Sequence, residues 1–308
     1  MTTIHPLAQQ DIAAARDMRQ AASAHKGERL GPAARPMFDA MLAATPAATG
    51  VRVHAATVGG IAGFWCRPHH ATPGARVLFL HGGGYVLGSA HAFTSFAGQI
   101  AARAGADTFV PDYRLAPEHP FPAAIDDALG AYRGLLAEGA ERIVLAGDSA
   151  GGGLALSLLS ILAADEAKET PPPRGAAVLS PWTDLALTGA SLTTRAEADP
   201  IFTRDVLRSL ADAYLGGHDP ADPKASPLYA RLGGLPPVRI DVGDDEVLLD
   251  DSVRFADRAR SAGADISLSI WLGMPHVFQS SLGHYRAAEH SLDAIGAFLR
   301  QRLDGDAA

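Results

Sequence analysis

The sequence predicts an α/β protein: a mostly parallel central sheet flanked by helices, with a helical cap over it. Three observations carry that reading. From Val51 onward, short β-branched or aromatic runs alternate with Ala/Leu-rich helical stretches; a Gly-x-Ser-x-Gly turn joins one such strand to one such helix; and the stretch between Asp184 and Asp222 breaks the rhythm. Strands separated by helices pair in parallel, because each connection has to cross back over the sheet.

The candidate strands are Val51 to Val53, Ile61 to Arg67, Val77 to His81, Asp107 to Val110, Ile143 to Gly147, Ala176 to Ser180, Val238 to Gly243 and Ser267 to Trp271, with helices at about 93–104, 121–137, 150–164, 250–262 and 286–302. The first two strands share a short Gly-containing turn and are expected to pair antiparallel. Residues 1 to about 50 are Ala-rich and helical in period, with Ile12, Ala15 and Met18 on one face and Phe38, Met41 and Leu42 on another; no strand is evident there. Between Asp184 and Asp222, Thr203 can cap a helix whose Leu207, Leu210, Ala211 and Tyr214 form one stripe. Residues 1–50 and the 184–222 insertion are therefore expected to form the cap, and 51–183 with 223–308 the catalytic domain.

Composition narrows the function. A chain of 308 residues with 47% hydrophobic content can bury a sizeable core, and 26 basic against 34 acidic side chains, net charge −8, argue against a nucleic-acid partner. The single cysteine, Cys66, cannot form an internal disulfide and reads as a small buried hydrophobe. No stretch is long and apolar enough to cross a bilayer, and the N-terminus lacks an apolar run behind a basic flank, so a cytoplasmic protein is the expectation.

Gly147-Asp148-Ser149-Ala150-Gly151 matches G-x-S-x-G. In a glycine-rich chain that pattern alone is weak. Its context is stronger: the apolar run Ile143 to Ala146 leads in and an apolar helix from Gly152 leads out, the strand, turn and helix order of a nucleophile elbow, which lifts the Ser149 hydroxyl above the sheet edge. Gly147 and Gly151 leave room for the close backbones. The alternative, a turn serine that only caps a helix, explains less of this context.

His81-Gly82-Gly83-Gly84 follows the strand ending at Leu80. Acyl transfer passes through an oxyanion, and backbone N–H groups fixed toward it are usually the largest catalytic contribution; Gly83, Gly84 and Ala150 are the expected donors. No Lys-Ser/Thr follows the glycines, against a phosphate loop, and Gly88 falls one position late for G-x-G-x-x-G. His81 precedes the elbow, and its expected role is to hold the loop by hydrogen bonds.

A hydroxyl nucleophile needs an imidazole base, and the imidazole a carboxylate. In α/β hydrolases these follow the serine in the order acid, then histidine. His276, on a Gly/Pro loop after the last strand, is the candidate base, whereas His284 and His290 fall in or near the final helix. The His69-His70 pair has no carboxylate or cysteine cluster around it and reads as loop, not metal site. For the acid, Asp244, Asp245, Glu246, Asp250 and Asp251 all follow the strand Val238 to Gly243, with Asp184 an outside candidate. Composition does not choose among them.

His81-Gly82-Gly83-Gly84-Tyr85, Asp112-Tyr113-Arg114-Leu115-Ala116-Pro117-Glu118, Gly147-Asp148-Ser149-Ala150-Gly151-Gly152 and Ser180-Pro181-Trp182 together resemble the hormone-sensitive-lipase-like family of bacterial esterases, in the family's order and over most of the catalytic domain. The family's D-P-L-x-D-E-like segment lies without a gap on Glu246-Val247-Leu248-Leu249-Asp250-Asp251, so the resemblance implies Glu246 as the acid; Asp245 would need an extra residue before Leu248. Tyr85, where Trp is frequent, and Val277, where Gly often follows the histidine, depart from the pattern without removing a catalytic group.

The resemblance further implies an α/β-hydrolase fold with a two-part cap, short-to-medium acyl esters as substrates, no metal or organic cofactor and a possible homodimer. Two rivals are an amide, lactone or N-formyl substrate for the same machinery, and a non-catalytic binding module, since plant gibberellin receptors resemble the family but lack its working triad. The presence of His276 weighs against the latter.

Overall fold

The computed structural model describes residues 1–165 and 169–304. Its strands are β1 (Thr2–His5), β2 (Val51–Val58), β3 (Ile61–Pro68), β4 (Ala75–Leu80), β5 (Asp107–Pro111), β6 (Arg142–Asp148), β7 (Ala176–Leu179), β8 (Val238–Gly243) and β9 (Ile266–Trp271). The helices are α1 (Ile12–Ser23), α2 (Arg35–Ala43), α3 (Thr94–Ala104), α4 (Ala123–Ala137), α5 (Ser149–Ala163), α6 (Ser191–Thr194), α7 (Arg204–Leu215), α8 (Leu249–Ser261) and α9 (Arg286–Leu303).

The strands form one sheet in the order β1-β9-β8-β7-β6-β4-β5-β3-β2. β2 and β3 form the expected antiparallel hairpin, with Val58 opposite Ile61 across Gly59-Gly60. Both turn glycines have positive φ, which a two-residue turn of this hand requires. β3 also runs antiparallel to β5, and every other pairing is parallel.

Side chains of β4 show how one sequence covers two faces. Val77 and Phe79 pack in the core that α3 and α9 close, through residues such as Phe96 and Leu292. Leu78 and Leu80 point the other way, into the core closed by α4, α5 and α8. Each fully buried large side chain stabilises the sheet by about 1.5–3 kcal/mol. A parallel sheet covered on both faces leaves its strand ends as the open surface, which is where a site can be built.

Two expectations for residues 1–50 need correction. Thr2–His5 is a strand, parallel to β9 with Thr2 opposite Leu268 and His5 opposite Trp271. Four residues are too few to show period-two alternation, and the pairing depends on partners far along the chain: the N-terminal amine donates to the Ile266 carbonyl (2.8 Å). The helices at 12–23 and 35–43 are present, but their buried stripes are narrower than the periodicity suggested. Ala15 is buried while Ile12 is 43% exposed, and Leu42 is buried while Met41 is 61% exposed. Met18 and Phe38, on the expected faces, are half-buried against the core.

The 184–222 segment contains no strand and holds the expected helix: Thr203 Oγ1 accepts from Val206 N–H (3.3 Å), and Leu207, Leu210, Ala211 and Tyr214 are all buried. Cys66 is fully buried in β3, and burial pushes its thiol pKa up to about 12.

Candidate active site

β6 ends at Asp148 and α5 begins at Ser149 with no intervening loop. Ser149 has φ +54°, a left-handed conformation that a non-glycine residue holds at a cost of about 1–3 kcal/mol. The turn is clamped by close backbones: a Cβ on Gly151 would lie 2.1 Å from the Leu80 carbonyl oxygen. That contact explains the second glycine of the motif. The serine side chain is thereby thrust out at the strand ends.

His276 meets it there. Its Nε2 lies 2.8 Å from Ser149 Oγ, and its Nδ1 donates to Glu246 Oε2. The carboxylate fixes the tautomer, leaving Nε2 free to accept the serine proton. Glu246 is fully buried, and its other oxygen, Oε1, accepts from Ser180 Oγ (2.7 Å) and Gly243 N–H (2.9 Å). Burial by itself would lower the His276 pKa; Glu246, with Asp199 and Asp148, outweighs that and holds it above the ordinary histidine value. The unprotonated ring that a base requires is therefore reached at a higher pH than for a free imidazole.

The other carboxylates are engaged elsewhere. Asp245 pairs with Arg19 of α1, and Asp244 accepts from Gly273 N–H and faces Arg195 at 3.9 Å. Asp250 accepts from Ser191 N–H (3.0 Å). Asp251 accepts from the amides of Thr183 (2.7 Å) and Asp184 (2.8 Å), and Asp184 itself holds Arg254 at 2.9 Å. Glu246 is the carboxylate that the structure brings to His276.

The glycine loop runs beside the elbow. Gly83 and Gly84 have φ of +114° and +61°, and among the described residues neither amide donates to a protein acceptor. Ala150 N–H belongs to the first turn of α5, where helix amides have no internal partner. The preceding Gly82 N–H donates to Asp148 Oδ1 (2.9 Å), and burial pushes the Asp148 carboxyl up to about 7 despite the opposing pull of His276 and of that amide.

His81 is at 0% exposure and far from acting as a base. Its Nδ1–H donates to the Gly82 carbonyl (2.8 Å), and its ring stacks on Tyr113 with centroids 4.3 Å apart. Tyr113 O–H donates to the His81 carbonyl (2.6 Å). The loop-holding role expected of His81 is what these contacts perform. His284 and His290 are exposed, and His69-His70 lie in a turn.

Several residues that shape the site carried no assigned role in the sequence. Ser180 was visible only as the end of a candidate strand and as part of Ser180-Pro181-Trp182. Asp199 is fully buried and accepts from Ile201 N–H (2.7 Å), Phe202 N–H (2.8 Å) and Val247 N–H (2.8 Å), next to Glu246. The Phe202 and His276 rings then meet near-perpendicular, centroids 5.0 Å apart. Arg35 of α2 donates to the carbonyls of Val86 (2.8 Å) and Ala116 (3.0 Å) and pairs with Glu118. Tyr85 stacks on Tyr214 of α7 at 3.7 Å. No local pattern announces these pairings; the Asp199-Pro200 dipeptide was the one available turn signal.

Residues 77–280 match the family model described as alpha/beta hydrolase fold. The chain belongs to that family. An acetyl-hydrolase of Streptomyces hygroscopicus is 42% identical over 246 residues, covering 79% of this chain and 81% of that protein. An esterase of Acinetobacter venetianus is 33% identical over 271 residues, covering 86% and 88%. A solved esterase of the bacterial hormone-sensitive lipase family superposes with a TM-score of 0.88 at 38% identity, covering 96% of this chain and 99% of that one. Within the α/β hydrolases the chain is thus a hormone-sensitive-lipase-like carboxylesterase. No helix among the described residues of the esterase is long and apolar enough to cross a membrane.

Proposed function

We propose that the esterase works through a Ser149-His276-Glu246 triad and a covalent acyl-enzyme. The carrying observation is the unbroken line from Ser149 Oγ through the His276 ring to buried Glu246. His276 Nε2 takes the Ser149 proton as Oγ attacks the ester carbonyl. The negative charge that develops on the carbonyl oxygen is met by the amides of Gly83, Gly84 and Ala150. His276 then gives its proton to the leaving alkoxide, and the acyl group stays on Oγ. In the second half, His276 takes a proton from water, the hydroxide attacks the acyl carbonyl, and the carboxylic acid departs as Oγ regains its proton. Every proton moved is held by the protein or supplied by water.

In this reading, α1, α2 and the 184–222 segment form the cap, while β1 belongs to the sheet. Leu210 of α7 packs over Gly84 of the glycine loop: a Cβ on Gly84 would lie 2.7 Å from Leu210 Cδ1. The substrate in this reading is a short-to-medium acyl ester, as the resemblance to the hormone-sensitive-lipase-like family implies.

Mass spectrometry after treatment with an organophosphonate tests the proposal. The label is expected on Ser149 with loss of ester hydrolysis. A folded protein that hydrolyses esters with Ser149 unlabelled would overturn it.

A further inference from the structure

Three non-glycine residues with positive φ meet around the triad: Ser149 (+54°), Ser180 (+44°) and Val277 (+48°). Ser149 owes its conformation to the elbow. For a β-branched residue such as Val277 the left-handed region is a genuine outlier, and such strain persists only where surrounding contacts impose it. One of the contacts on Val277 is with the side chain of Ser180.

Strand order explains the meeting. β7 lies between β6 and β8, so the residue that follows it stands between the nucleophile at the end of β6 and the acid beyond β8. Ser180 N–H donates to the Asp241 carbonyl of β8 (2.8 Å), and the Ser149 carbonyl accepts from Trp182 N–H (2.9 Å). The Ser180 side chain is fully buried. Its hydroxyl donates to Glu246 Oε1 at 2.7 Å and accepts from Val277 N–H at 3.2 Å. Val277 immediately follows His276.

One oxygen therefore touches the acid and the segment that carries the base. A hydroxyl can do both because it has one proton to give and lone pairs to receive. Alanine could do neither, and would leave a buried amide without its acceptor.

We infer that the Ser180 hydroxyl is a positioning residue for the reaction: it fixes Glu246 and His276 relative to each other by hydrogen bonding to the acid and to the backbone amide beside the base. This rests on the triad proposed above. The effect reaches the electronics as well as the geometry. Of the two donors on Glu246 Oε1, only Gly243 N–H remains when the hydroxyl is removed. A carboxylate with fewer donors is more basic and holds the imidazolium more tightly. The groups facing His276 are Glu246, Asp199 and Asp148, and only Glu246 touches Ser180.

The test is a pair of variants, Ser180→Ala and Ser180→Gly. Both lack the hydroxyl, but glycine accepts a φ of +44° without strain, so the pair separates side-chain chemistry from backbone conformation. In both, kcat on a p-nitrophenyl ester is expected to fall about 10- to 100-fold with KM within about threefold, and the acid limb of the pH profile to move up by about half a unit or more. Thermal unfolding and phosphonate titration of Ser149 count the folded, competent sites. A Ser180→Gly enzyme with wild-type kcat, or a fall in kcat with the acid limb unmoved in both variants, would overturn the inference and reduce Ser180 to a packing residue. Failure of the triad itself is a separate result, read in the wild-type protein as ester hydrolysis with Ser149 unlabelled.

Discussion

At the strand ends, Ser149 and Ser180 directly follow β6 and β7 with positive φ, and His276 lies on the loop after β9 next to Val277, also at positive φ. The segments over them are held by other means. α1 reaches across through Arg19, to Asp245 and the Ala198 carbonyl (3.4 Å), and the chain after it through Lys26 to the Ala196 carbonyl (2.6 Å). α2 reaches through Arg35 to Val86 and Ala116. The Arg19 side chain is 41% exposed, so its ion pair contributes only about 0–1 kcal/mol. Buried groups tie the insertion to the acid's own loop: Asp199 accepts from Val247 N–H (2.8 Å), and Ser191 Oγ donates to the Val247 carbonyl (2.6 Å). The rim is thus set by backbone turns, the 184–222 insertion is held by buried contacts, and α1 and α2 reach it through long side chains.

That contrast predicts a hierarchy of effects. His276→Ala, at the rim, should lower kcat by about 10⁴-fold or more, because the serine loses its base; steady-state hydrolysis measures it. A residual rate within tenfold of wild type would show that the rim does not hold the chemistry.

Asp199→Asn probes a buried link between cover and rim. It replaces a carboxylate oxygen that accepts a backbone amide with a group that cannot, and should destabilise the fold by about 2–4 kcal/mol in chemical denaturation. It also removes a negative charge that helps hold the His276 pKa up. With that charge gone the imidazolium is less favoured, so the acid limb of kcat/KM should move to lower pH. Movement to higher pH would contradict the assignment of Asp199 as one of the charges acting on His276.

Arg35→Ala removes the contacts of α2 with the Val86 and Ala116 carbonyls. Activity should fall on the order of tenfold, through poorer placement of the loop that carries Gly83 and Gly84, while phosphonate still labels Ser149. A loss as large as that of His276→Ala would erase the distinction between rim and cover.

The same division governed what could be read from the sequence. Ser149, His276 and the glycine loop were legible because turns demand particular residues at fixed spacing, and the sheet was legible because parallel strands read as short apolar runs. Glu246 emerged only through the family resemblance, since five acidic residues crowd the same loop and hydrogen bonding, not composition, separates them. β1 escaped because its four residues take their meaning from β9, more than 260 positions away. Ser180, Asp199 and Arg35 escaped because each acts on a partner distant in the chain, and a side chain's reach leaves no local period. Ile12 and Met41 were placed inward by a periodicity that the structure satisfies with Ala15 and Leu42, and with Met18 and Phe38 half-buried beside them.

The acid of the proposed triad is tested most directly by kcat/KM on one p-nitrophenyl ester for Glu246→Ala and Asp245→Ala, both checked for folding. Glu246→Ala should fall by about 10³- to 10⁴-fold and Asp245→Ala should stay within about tenfold of wild type. The reverse order would contradict the Ser149-His276-Glu246 assignment.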